Sequence, residues 1–336
     1  MKPLSLGDPL RLGPYRLLGV LGEGGMGKVY FGQDTLGRRA AVKILRPEMA
    51  HDQNLAQRFV REAWTAQSVS SPGVARVLDA QTEGGRPWIA AEFLAGPTLE
   101  EAVTAHGPLD DVTVRALASA LARALGDIHT AGLIHRDIKP ANIVMTSNGP
   151  RIIDFGIARP EHGLTLTTTG EAPVTPGYGA PEQVLGQRVG PAADVFSLGA
   201  VLLYAASGQR AFNGGHVAAV QYEVVHGEPQ LHLIPEPLRG LVAPCLAKDA
   251  WLRPSPGQIA HAFAAPHADS GIWRQGPLAA LIERRQAEIR QVAPSTTTAP
   301  VSPPGQVRRR FLTGLASVGA VLTVGGGTAT WQFRDR

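Results

Sequence analysis

One run of residues constrains this chain more than anything else in it: His135-Arg136-Asp137-Ile138-Lys139-Pro140-Ala141-Asn142, followed twelve residues after Asn142 by Asp154-Phe155-Gly156. A carboxylate five residues before an amide on a single loop can do two jobs together. Asp137 can orient a hydroxyl and accept its proton, while Asn142 offers a carbonyl oxygen to a hard cation such as Mg2+. Lys139, between them, can neutralise charge on a transferring phosphoryl group. Asp154 follows the strand-like Arg151-Ile152-Ile153 and can chelate the same class of cation, with Gly156 permitting the turn.

Two further motifs lie upstream. Gly22-Glu23-Gly24-Gly25-Met26-Gly27-Lys28-Val29 has the form G-x-G-x-x-G-x-V. Its glycines let backbone N–H groups approach a triphosphate with no Cβ in the way. A dinucleotide-binding turn is the competitor, but that turn runs from a strand into a helix. Here Val29-Tyr30-Phe31 continues as a strand, which favours a hairpin lid over phosphates. Ala41-Val42-Lys43-Ile44 then places a lysine inside an apolar strand, a costly position for a charge without a partner. Glu62 on the next helix is the expected partner, leaving the same ammonium within reach of nucleotide α- and β-phosphates. The chain has only five lysines, so one at this position is hard to ascribe to chance.

Periodicity organises the rest. Tyr15–Gly22, Val29–Gln33, Arg39–Leu45, Val74–Ala80 and Trp88–Phe93 read as strands, and Asn54–Val69 as a helix. Gly96-Pro97 breaks the pattern, and helices dominate beyond it. Asp110–Ala131 is one, with Gly132 where a C-terminal cap glycine belongs, and Ala193–Ser207 is a second, too short and too interrupted by Asp194 to span a bilayer. With 44% hydrophobic residues the chain has material for a core, which excludes wholesale disorder. The net charge of +4 comes from scattered basic residues, not from a stripe, which argues against a nucleic-acid partner. Cys245 is the only cysteine, so neither an internal disulfide nor a cysteine-rich metal site can form, and a core position is expected for it.

Together with Ala180-Pro181-Glu182, Asp194 and Arg253, these motifs make the stretch from about Tyr15 to Ala265 resemble the bacterial eukaryotic-like serine/threonine protein kinases. The resemblance implies an α+β, bilobal fold: a small antiparallel N-lobe sheet with one helix over about 15–95, and a larger, mainly helical C-lobe over about 96–265. It implies ATP as donor with Mg2+ (Mn2+ as a possible substitute) and proteins with serine or threonine acceptors as partners. ATP would lie at the hinge Glu92–Leu94, beneath Gly22 to Gly27, against Val29, Ala41 and Ala91. Asp137 would be the base, Lys139, Lys43 and Glu62 would assist, and Asn142 and Asp154 would hold the metal. His135, Arg136, Phe155, Glu182, Asp194 and Arg253 would be supports: Phe155 beneath the helix carrying Glu62, Glu182 paired with Arg253, and Asp194 bonded to the catalytic-loop backbone. Phosphorylation is expected within Thr167, Thr168 and Thr169, facing Arg136, with Thr175 shaping the substrate loop and a homodimer allowing reaction in trans. Ala91 departs from the larger residue usual at its position, which predicts an open pocket behind the adenine. A nucleotide-binding scaffold without transfer, and a small-molecule kinase of related fold, are the rival readings. The first is opposed by intact Lys43, Asp137 and Asp154, the second by the Ala-Pro-Glu segment and its Arg253 partner.

The ends read differently. Residues 1–14, rich in proline and glycine, are expected to be an irregular lead-in. Residues 266–310 are expected to form a Pro/Ser/Thr-rich juxtamembrane linker, in which Pro277–Val292 could make a short charged helix. Phe311–Trp331 carries no charge over 21 residues and is preceded by Arg308-Arg309-Arg310, so a membrane span with the body on the cytoplasmic side is expected, followed by a short tail over 332–336. Arg308-Arg309-x-Phe311-Leu312 also resembles a twin-arginine signal of the same orientation. The alternative is a glycine-rich tail on an otherwise cytoplasmic protein.

Overall fold

Alternation of side chains along β4 (Arg39–Leu45) decides how the first half of the molecule is built. Ala40, Val42 and Ile44 are buried on one face, while Ala41 and Lys43 stand on the other, as a period of two requires. The computed structural model describes residues 1–24, 27–81, 86–154, 175–264 and 271–292. Its N-lobe contains β1 (Arg11–Leu12), β2 (Tyr15–Gly24), β3 (Gly27–Gln33), β4, β5 (Val77–Gln81) and β6 (Trp88–Glu92), paired antiparallel in the order β1-β2-β3-β4-β6-β5. One face gathers Leu12, Tyr15, Leu17, Val20, Tyr30, Ala40, Val42, Ile44, Trp88 and Ala90 into a small core. The other packs against α2 (Gln53–Ala66), whose Phe59 and Ala63 are fully buried and whose start is capped by Asp52, accepting from the N–H groups of Asn54 and Leu55. A four-residue α1 (Pro47–Ala50) precedes it, so the lobe holds two helices where one was expected.

The lead-in is irregular over most of its length, but it is tied to the sheet. Lys2 exchanges both backbone hydrogen bonds with Val20, β1 pairs with β2, and the nearly buried Asp8 accepts from Lys28 Nζ (3.0 Å), the Tyr30 hydroxyl (2.8 Å) and the Ser5 amide. These bonds hold the Asp8 carboxyl below its usual range, the Ser5 amide contributing most. A two-residue strand is too short to show a period, which is why composition misread it. Likewise β5 begins at Val77, because residues 73–75 leave the sheet to bond Ile152 of the other lobe.

The C-lobe comprises α3 (Leu99–His106), α4 (Asp111–Thr130), the hairpin β7 (Ile143–Thr146) and β8 (Gly149–Ile152), α5 (Pro181–Val184), α6 (Ala192–Ser207), α7 (Val217–His226), α8 (Glu236–Val242) and α9 (Pro256–Ala262). A Thr98/Glu101 capping box starts α3, and Gly132, with φ +77°, follows the end of α4. From Ala193 to Leu203 every residue of α6 is buried, so its all-round apolarity belongs to a core helix. Cys245 lies against Gly199, where a Cβ would come within 2.8 Å of it, and burial pushes its thiol up to about 12.

Beyond Ala264 the linker expectation is corrected in part. Ile272–Arg274 form a short 3-10 turn and α10 (Gly276–Val292) follows, with Trp273, Leu278, Ala279, Ile282 and Ile289 buried. Among the described residues no helix is long and apolar enough to cross a membrane; Phe311–Trp331 lies outside them.

Candidate active site

The catalytic-loop run folds around a single 3-10 turn, Pro140–Asn142, which brings Asn142 back onto Asp137. Asn142 Nδ2 donates to the Asp137 carbonyl at 2.9 Å and to its Oδ2 at 3.1 Å. Lys139 Nζ lies 2.9 Å from the same Oδ2. The Thr175 hydroxyl donates to Asp137 Oδ1 at 2.9 Å and accepts from Lys139 Nζ at 3.3 Å. The carboxylate is thus fixed in orientation, with an ammonium and an alcohol beside it. Sequence reasoning gave Thr175 a role in the substrate loop but not this bond, because 38 residues separate the pair.

The loop is pinned from below by Asp194, a fully buried carboxylate at the start of α6. It accepts from the amides of His135 and Arg136, both at 2.8 Å, and from His129 Nε2 at 2.8 Å. His129 had no sequence signal, since nothing in its spacing separates it from a helix-end histidine. These bonds hold Arg136 at φ +63°, a left-handed conformation that a non-glycine residue keeps only when its surroundings over-determine it. Burial pushes the His135 imidazole below its usual range, against the opposing pull of nearby aspartates. The neutral ring accepts the Asp137 N–H at Nδ1 and donates from Nε2 to the Ile153 carbonyl, each at 3.3 Å.

Lys43 lies where the strand pattern put it, with a different partner. Its Nζ is 2.6 and 2.7 Å from the two oxygens of Asp154, and Glu62 is 3.8 Å from Arg58, one turn earlier on α2. The expected Lys43–Glu62 pair is therefore replaced by Lys43–Asp154. Register allows this: Lys43 stands opposite Val29 and Ile89 on the cleft face, and Asp154, at φ +56°, turns back toward it.

The glycine-rich segment is a hairpin, with Gly22 opposite Val29, Glu23 opposite Lys28 and Gly24 opposite Gly27. Around Gly22 and Gly24 a Cβ would meet open space, whereas at Gly27 it would run into the Ile44 carbonyl. Gly27 is thus demanded by the sheet itself. Across the sheet Ala41 stands directly opposite Ala91, so two small side chains face each other behind the hinge. Glu92 Oε2 accepts from Arg151 Nη2 at 2.9 Å, tying the hinge to β8, and Phe93 meets Phe31 edge-on at 4.7 Å just before the half-buried Leu94. Gly25, Met26, Phe155 and Thr167 to Thr169 lie outside the described residues.

Away from the cleft, Arg253 spends all five N–H donors. Nη1 and Nη2 bind Glu182 at 2.7 and 2.9 Å, and the remaining bonds go to the carbonyls of Ala247, Ala192 and Lys248. The Phe196 ring lies 5.0 Å from the guanidinium. This pair braces α5 against the loop before α9.

A divalent cation fits the donor chemistry. With Nδ2 committed to Asp137, Asn142 has its side-chain carbonyl oxygen to offer, and Asp154 adds a carboxylate. Among the described residues no three His, Cys, Asp or Glu side chains gather into a cage. An oxygen-only pair of ligands suits Mg2+, which keeps water and phosphate in its remaining positions.

Comparison with known proteins points the same way. A family model described as a protein kinase domain matches residues 15–264. The chain is 42% identical over 267 residues to a probable serine/threonine-protein kinase, PkwA, of Thermomonospora curvata, covering 80% of this chain and 36% of the relative. It is 42% identical over 296 residues to the serine/threonine-protein kinase AfsK of Streptomyces griseus, covering 85% and 37%. The chain therefore spans little more than a third of the length of these two relatives. Among solved structures, the kinase domain of Mycobacterium tuberculosis PknI aligns with a TM-score of 0.62 at 27% identity, over 77% of this chain and 98% of that one.

Proposed function

The chain belongs to the protein kinase family, among the eukaryotic-like serine/threonine kinases of bacteria, and from that premise we propose that it transfers the γ-phosphoryl group of ATP to serine and threonine hydroxyls of proteins. The observation that carries this reading is the Asp137 carboxylate, held by Asn142 and Lys139 and already accepting an alcohol O–H from Thr175.

An acceptor hydroxyl donates to Asp137, which orients its oxygen and takes the proton as the new O–P bond forms. The bond from the γ-phosphorus to the bridging oxygen breaks, and ADP leaves. Lys139 neutralises charge on the phosphoryl group in passage. Lys43 serves the α- and β-phosphates, and Glu62 is assigned to orient it. Asn142 and Asp154 would hold Mg2+, with Mn2+ as a substitute; when bound, the cation screens the charge of the nucleotide phosphates. Gly22 and Gly24, with open space at their Cβ positions, leave room for phosphates beneath the hairpin, and Ala41, Ala91, Glu92 and Leu94 border the adenine.

Activation is assigned to autophosphorylation within Thr167–Thr169, above all at Thr169 and Thr167, in trans between two copies. A phosphate there brings nearly two negative charges to Arg136, beside the base. The uncharged Phe311–Trp331 behind three arginines is assigned as a membrane anchor, which a membrane-fractionation experiment on the full chain tests.

Phosphopeptide mapping after incubation with Mg·ATP tests activity and activation sites together. Phosphate within Thr167–Thr169 is expected in the wild type, and none in Asp137→Ala. Equal labelling of both proteins would remove Asp137 from the chemistry, and unlabelled wild type would favour a scaffold.

A further inference from the structure

The two side chains assigned to the cation sit at the open end of one small fork. Asn142 immediately precedes β7, and Asp154 lies two residues past Ile152, the end of β8, with Ile143 paired to Ile152 and Thr146 to Gly149. The separation of Asn142 and Asp154 is therefore set by how this hairpin is held. A two-stranded ribbon is marginal alone and takes its geometry from what it packs on.

The closed end is gripped by residues beyond the stretch that matches the kinase family model, which stops at 264. Arg274 Nε donates to the Ser147 carbonyl at 3.0 Å and Nη2 to Asn148 Oδ1 at 2.9 Å, both on the turn between β7 and β8. The buried Trp273 indole lies over Gly149, 3.5 Å from where a Cβ would stand, at a residue whose φ of +118° already calls for glycine. Behind them α10 packs on α3, with Ile282 buried and Arg285 bonded to Glu101 at 2.8 Å. The anchor is thus fixed to the helix that leaves the hinge, and that stretch in turn meets β7 through Thr98–Val144 pairing and the Met145 amide on the Pro97 carbonyl.

We propose that Ile272–Val292 is a clasp belonging to the catalytic body, in which Trp273 and Arg274 are positioning residues that hold the β7–β8 fork and thereby the spacing of Asn142 and Asp154. This inference rests on the assignment of those two side chains to a divalent cation.

The test uses the full chain and three readouts: amide hydrogen exchange of the hairpin, thermal unfolding, and titration with a nonhydrolysable ATP analogue at varied free Mg2+. Trp273→Ala is expected to speed exchange of the amides from Val144 to Ile152 about tenfold. It should also raise half-saturating Mg2+ about tenfold, the scale on which groups supporting a metal ligand act. Arg274→Ala removes only exposed hydrogen bonds and keeps the fold; it should shift both in the same direction, by about threefold. Arg274→Ala with an unshifted Mg2+ requirement overturns the clasp, whatever its melting temperature. Wild-type binding indifferent to Mg2+ would instead sink the metal assignment, and the clasp's purpose with it.

Discussion

The Lys43 ammonium lies 2.6 and 2.7 Å from the two carboxylate oxygens of Asp154, a residue 111 positions later, and this pair ties the N-lobe sheet to the floor of the cleft. Lys43→Met removes the cation that joins β4 to the segment carrying Asp154. Phosphoryl transfer should fall about 10²–10³-fold, as for loss of one preorganised electrostatic partner. Because both side chains are partly exposed, stability should change by no more than about 1 kcal/mol. Radiolabel transfer and thermal melts on the same preparations separate the two effects, and an active Lys43→Met protein would contradict the assignment.

The opposition of Ala41 and Ala91 leaves the wall behind the hinge without bulk. An adenine-site inhibitor with a large hydrophobic substituent should bind the wild type, and Ala91→Met should weaken it by about 10–100-fold, equivalent to about 1–3 kcal/mol of overpacking. Dissociation constants measured side by side decide it; equal values would mean that the substituent never enters.

With five donors satisfied and its side chain fully buried, Arg253 has no adequate substitute. Arg253→Lys keeps a charge but cannot span both Glu182 oxygens and three carbonyls, so unfolding should become easier by about 3–5 kcal/mol. Denaturant titration measures this, and a loss under about 1 kcal/mol would mean the pair is weaker than its geometry indicates.

Burial keeps the imidazolium form of His135 unfavourable in the folded protein, so its pKa there lies below the usual 6.5. As pH falls, the unfolded chain takes up this proton first. The contribution to stability is complete above about pH 6.5 and erodes as pH drops toward the folded-state value. His135→Gln can still accept from the Asp137 amide and donate to Ile153, but does not titrate. Its melting temperature should fall less steeply than the wild type's between about pH 7.5 and about 5.5; parallel slopes would place the titration elsewhere.

The catalytic loop was legible because eight consecutive residues serve one mechanism and carry their geometry locally, closing on a single 3-10 turn. The register of β4 was legible for a similar reason: a period of two fixes which side chains face the cleft. The partner of Lys43 was not, because it depends on how α2 and the segment around Asp154 sit against the sheet, and no local pattern encodes that. The two ends misled for different reasons. At the start, Arg11–Leu12 is too short for periodicity, and what ties the segment down is long-range: its pairing with β2, and one carboxylate, Asp8, reaching two residues of β3. Past Ala264, the proline- and threonine-rich stretch after residue 293 coloured the reading of a helix whose buried positions are few.

The hairpin over the cleft contains glycines of two kinds. At Gly22 and Gly24 a methyl group would project into free space, while at Gly27 it would collide with the backbone of the neighbouring strand. An alanine scan along this lid will therefore split: the first two positions report on the nucleotide, and the third on whether the sheet can assemble at all. Inactivity of Gly27→Ala would thus be a folding result wearing the appearance of a catalytic one.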